Sequence, residues 1–139
     1  MTLNGLYTLA ANDGIEILPF GFSTQEALSI MDSDGRCYIG IDPCKLTSII
    51  DEKMKLAHEL GHCETGAFYN VYSPYDIRQR CENRADKWAI KKLIPEDELD
   101  AAVAAGYTEP WELAEVLDVS EPFIRKALTW YSRGNLYSA

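Results

Sequence analysis

KLAHELGHCETG, residues 55–66, holds both histidines of a 139-residue chain, four positions apart, with Glu59 directly after the first. On a helix, positions i and i+4 share a face, so His58 and His62 can grip one ion between two imidazoles. Glu59 is rotated to the side, where it reaches a water held by that ion. Zinc lowers the pKa of such a water toward neutrality, and a carboxylate beside it accepts the proton during attack on a carbonyl. The plain alternative is a solvated amphipathic helix with two unrelated histidines. The i, i+4 spacing in a chain that has no third histidine favours the metal site.

A water-activating zinc site takes three protein ligands. The longer HExxHxxGxxH pattern fails, because Thr65 and Phe68 stand where it needs Gly and His. A carboxylate must complete the set, and Glu82 in CENRADKWAIKKLIP (81–95) is the best placed. At helical spacing Glu82, Ala85, Asp86, Ala89 and Leu93 share one face, while Arg80, Arg84, Lys87 and Lys91 form a basic, solvated face opposite. Small Ala85 lets this helix approach the HExxH helix closely, and Gly61, which costs a helix interior about 1 kcal/mol relative to alanine, suggests close backbone approach near the metal. Asp86, one turn past Glu82, is placed to accept a hydrogen bond from the free ring N–H of His58 or His62. Glu64 lies too near His62 on the same helix, and Asp76 and Glu96 fall on less suitable faces or ends. Cys63 lies off the face shared by the two histidines, which sets it outside the metal chemistry.

Working outward, Leu3, Leu6, Tyr7 and Ala10 predict a first helix, and IEILPF (15–20) a short strand. Ser23-Thr24-Gln25-Glu26 suggests the capped start of a short helix. LSIMD and RCYIGID, joined by Asp32-Ser33-Asp34-Gly35, predict a hairpin. RCYIGID is a candidate edge strand leading toward the active helix. Thr47 or Ser48 can cap that helix, with Asp51 and Glu52 in its first turn and Gly66 as its stop. Ser73 and Pro74 predict the start of the second long helix, which runs to Leu93 or Ile94. Shorter helices follow at 95–105, 109–117 and 121–131, with a short tail after Gly134. The expected class is α+β: a small N-terminal antiparallel or mixed sheet packed on a helical core that contains the HExxH helix, then C-terminal helices. One domain spans 1–139, with its core in 1–95 and a helical extension in 96–139.

Composition narrows the partners. A hydrophobic content of 47% with 25% charged residues fits a globular domain. No apolar run approaches the ~18 residues of a membrane span, and the N-terminus lacks the pattern of a secretory signal. A cytoplasmic location is the expectation, with no membrane partner. Cys37, Cys44, Cys63 and Cys81 therefore read as reduced thiols rather than a disulfide framework. A net charge of −9 opposes attraction to phosphate backbones, so no direct nucleic-acid partner is expected.

LAHELGHCETGAFYN followed by CENRADKWAIKKLIP resembles the ImmA/IrrE family of metallo-endopeptidases, and more broadly the gluzincin arrangement of HExxH with a distal Glu-x-x-x-Asp. The family pattern couples HELGH to E-x-x-A-[D/N]-x-[F/W]-A and a following L-[I/M]-P. Here these are Glu82, Ala85, Asp86, Trp88, Ala89 and Leu93-Ile94-Pro95. The resemblance implies a zincin-like core, Zn2+ held by His58, His62 and Glu82, and Glu59 as catalytic base. It also implies an intracellular protease whose substrate is a helix-turn-helix transcriptional repressor of a phage or mobile element. A metal-containing interaction module that inactivates a repressor without proteolysis uses the same donors. Peptide hydrolysis needs an oxyanion donor, for which Tyr69, Tyr72 and Tyr75 are candidates; ordinary loop packing is the competing role for each. An edge strand such as RCYIGID can hold an extended peptide across the metal.

WELAEVLDVSEPFIRKAL (111–128) has a helix-turn-helix-like pattern. Its surroundings argue against DNA reading, since 108–139 carry Glu109, Glu112, Glu115, Asp118 and Glu121 against Arg125, Lys126 and Arg133.

Overall fold

A computed structural model describes residues 1–133; the tail expected after Gly134 lies outside them. The protein is α+β, with a mixed three-stranded sheet and six α-helices among the described residues. It divides into two compact units, Met1–Ala89 and Ile90–Ala139. No described helix is long and apolar enough to cross a membrane.

In the first unit, helix α1 (Leu3–Asn12) is capped by Thr2, whose hydroxyl accepts the Gly5 N–H. Strands β1 (Glu16–Pro19), β2 (Ala27–Met31) and β3 (Cys37–Ile41) follow. The predicted hairpin is present: β2 and β3 pair antiparallel, with Ser29 opposite Ile39. Asp32 Oδ1 closes the turn by accepting the N–H groups of Asp34 and Arg36. Strand β1 adds to the other side of β3 in parallel, giving the order β1-β3-β2. RCYIGID is thus the central strand and not an edge. The alternation of buried Cys37, Ile39 and Ile41 marks the face that meets the core and is the same for an edge or a central strand.

The helix expected from Ser23 to Glu26 does not form; an irregular segment leads into β2. Longer-range bonds claim its backbone. Asp42 accepts the Phe22 N–H, Lys45 Nζ donates to the carbonyls of Phe22 and Gln25, and the Asp42 N–H bonds to Glu26. A capping signal with so little apolar periodicity behind it cannot compete with that set.

Helix α2 (Ile49–Thr65) begins at Ser48, whose hydroxyl accepts the Asp51 N–H, with Asp51 and Glu52 in the favourable first turn. It ends at Gly66, which takes the left-handed conformation (φ 68°) that lets the chain leave a helix without a Cβ penalty. Leu56, Ala57 and Leu60 on α2 and Ile39 on β3 are fully buried, and Leu6 of α1 is as well. Tyr7 of α1 donates to Glu52 Oε2 at 2.8 Å. The cysteines depart from their reading as free thiols: Cys37 of β3 and Cys63 of α2 form a disulfide, Cα atoms 5.8 Å apart. Cys44 and Cys81 are free.

Helix α3 (Tyr75–Leu93) carries the second motif. In the second unit follow α4 (Glu96–Ala104), α5 (Pro110–Leu117) and α6 (Glu121–Ser132), close to the predicted spans. Asp118 turns left-handed (φ 57°) between α5 and α6, and Ser120 caps α6 by accepting the Phe123 N–H. Leu99, Leu113, Val119 and Ile124 are buried here, and Tyr131 donates to the Ile94 carbonyl at 2.6 Å.

Candidate metal centre

His58, Glu59 and His62 lie on consecutive turns of α2, and Glu82 and Asp86 on consecutive turns of α3. The two helices meet where both side chains are smallest. A Cβ built on Gly61 would lie 2.5 Å from the Ala85 carbonyl oxygen and 2.8 Å from its Cα, so only glycine admits this approach. That contact brings Glu82 onto the histidine face. One ligand atom each from His58, His62 and Glu82 lies within 4.8 Å of the others. His58 Nε2 is 2.8 Å from Glu82 Oε2, and His62 Nε2 is 3.3 Å from Glu82 Oε1. For metal–ligand bonds of about 2.0–2.1 Å, tetrahedral zinc separates its ligand atoms by about 3.3 Å. The three donors lie close enough together to share one cation.

The far sides of both rings test the fit chemically. His62 Nδ1 stands 2.6 Å from the Ala67 carbonyl oxygen, which can only accept, so that nitrogen carries the proton. A neutral ring then turns the Nε2 lone pair toward a carboxylate. Two acceptors face each other there, and the arrangement is satisfied by a cation or an added proton between them. His58 repeats the pattern, with Asp86 Oδ1 3.3 Å from Nδ1. Of the expected orienting roles, Asp86 thus serves His58, while the backbone of Ala67 serves His62.

The carboxylates around the two rings favour the protonated imidazoles. Asp86 and then Glu82 push His58 up to about 10. His62 is also raised: burial opposes the shift, and the Glu82 and Ala67 bonds outweigh it. The two histidines hold the Glu82 carboxyl well below the usual carboxylate range.

Glu59 is buried (8% exposed) beside the donors, and the Ser29 hydroxyl of β2 donates to its Oε1 at 3.0 Å. Ser29 was not legible as a site residue, since nothing local distinguishes a serine in a strand. Tyr69 is engaged at the metal donors, donating to Glu82 Oε1 at 2.6 Å, a bond that raises its own hydroxyl to about 12. Tyr72 and Tyr75 are largely solvent-exposed, at 91% and 74%. Among the three tyrosines, Tyr69 alone is recorded against a metal donor.

Fold and site together define an α+β protein with a two-helix His/His/Glu donor set and a buried carboxylate alongside. No family model matches the chain, and no curated protein matches it significantly.

Proposed function

We propose that the protein is a zinc-dependent endopeptidase of the ImmA/IrrE type, with a zincin-like core, acting on a regulatory protein. The observation that carries the reading is the convergence of His58, His62 and Glu82 from two helices, with Glu59 buried beside them. A zinc ion there supplies Lewis-acid polarisation of a peptide carbonyl and acidifies a water. His58, His62 and Glu82 would hold it, and the Asp86 and Ala67 oxygens fix the two rings with Nε2 turned inward. Glu59 accepts the proton of the attacking water and delivers it to the leaving amine.

The strand beside Glu59 is β2, whose outer side pairs with no other strand among the described residues. An extended segment laid against β2 gains main-chain hydrogen bonds and passes the catalytic carboxylate. This moves the peptide-holding role from the central strand to the true edge. The substrate we favour, from the resemblance of the two motifs, is a helix-turn-helix repressor. The net charge of −9 suits a protein partner better than nucleic acid.

The test is cleavage of an unstructured peptide library by the zinc-loaded protein, read by mass spectrometry. New termini that vanish with a chelator and return with zinc are expected. A zinc-loaded protein that cuts no peptide and no repressor would overturn the reading.

A further inference from the structure

We infer that Ser29 is a positioning residue for Glu59, making strand β2 part of the hydrolytic machinery. The inference rests on the endopeptidase reading. Ser29 is half-buried in β2, paired opposite buried Ile39 of β3. Its hydroxyl reaches across to α2 and donates to the Glu59 carboxylate at 3.0 Å. Glu59 approaches from α2, so the bond joins the strand to the helix that carries both histidines.

The geometry divides the two carboxylate oxygens. Oε1 accepts from Ser29, which leaves Oε2 to take a proton from water. A glutamate side chain has three rotatable bonds, and a base free to sample them spends part of its time out of reach of the reacting atoms. The ladder between β2 and β3 holds the Ser29 backbone, and through it the carboxylate, before substrate arrives. Because β2 is also the free edge, the strand that takes the peptide orients the base that attacks it. Ser29 bonds Glu59, which is not one of the three donors, so its effect is separable from metal binding.

Ser29→Ala and Ser29→Thr, both zinc-loaded, test this with the library peptide that is cut fastest. Ser29→Ala is expected to lose about 10- to 100-fold in kcat, the rate equivalent of one hydrogen bond to a charged group, with KM and zinc affinity unchanged. Ser29→Thr, which keeps the hydroxyl, is expected to restore most of the rate. Glu59 labelled with 13C at its carboxyl gives a readout independent of turnover: its resonance should move in Ser29→Ala and return in Ser29→Thr. An unmoved resonance, a wild-type kcat in Ser29→Ala, or a parallel loss of zinc affinity overturns the inference. A wild-type protein that cuts nothing defeats the endopeptidase reading instead, and the resonance still decides whether Ser29 holds Glu59.

Discussion

Replacing Gly61 with alanine adds one methyl group where two helices already touch. The new Cβ would meet Ala85 backbone atoms at 2.5, 2.8 and 3.0 Å, and backbone has no flexible end to swing away. Ordinary contact begins at 3.4 Å, so α2 and α3 must part by up to about 0.9 Å at this point. Overpacking of this kind costs about 1–3 kcal/mol, offset by about 1 kcal/mol from the better helix propensity of alanine. A small net loss of stability follows. The larger effect falls on the metal, because Glu82 lies one turn from Ala85 and metal–ligand distances tolerate only about 0.2 Å. We expect Gly61→Ala to lower zinc affinity about 10- to 100-fold, the range seen when support of a metal ligand is lost. Competition against a chromophoric chelator measures this, with thermal unfolding of the metal-free protein as the control. Wild-type zinc affinity in Gly61→Ala would refute the reasoning, since the helix contact would then not set the donor spacing.

Removing the Asp86 carboxylate (Asp86→Ala) should weaken zinc binding about 10- to 100-fold by freeing the His58 ring, while Asp86→Asn keeps an acceptor and loses less; the same chelator competition decides it. Zinc binding at pH 7 should release protons, because His58 in the metal-free protein is raised to about 10 and must lose one to present Nε2. Calorimetry in buffers of different ionisation enthalpy reads the release, and a buffer-independent heat would count against it. In the metal-free fold, the raised His58 contributes stability fully below its ordinary value of 6.5, lost as pH climbs toward about 10. The depressed Glu82 contributes above its ordinary 4.5 and is lost on acidification, so the pair stabilises most between 4.5 and 6.5. Reducing the Cys37–Cys63 bond, which spans 26 residues, should cost about 3.5 kcal/mol on the chain-entropy estimate. An unchanged denaturation midpoint with and without reductant would contradict that.

Much of the site is written in local spacing. His58 and His62 share a face by the helical repeat, as do Glu82 and Asp86, and the small pair Gly61 and Ala85 shows where the helices can meet. What local spacing cannot carry is order among strands. The parallel pairing of β1 with β3 is made across the intervening β2, so the central strand reads in sequence like an edge. Ser29 is invisible for the same reason, because its importance depends on which strand lies under Glu59. Cys37 and Cys63 join a strand to a helix end, and nothing at either position announces the other. The apparent cap at Ser23 fails because Asp42 and Lys45, distant in sequence, claim its backbone.

The central claim is that Glu59 does the proton chemistry at a metal held by His58, His62 and Glu82. Glu59→Gln changes the carboxylate to a near-isosteric amide and touches none of the three donors. Measured together, its metal content should remain at one zinc per chain while peptide cleavage falls by about 10²–10⁴. A Glu59→Gln protein that holds its zinc and cleaves as fast as wild type would contradict the account.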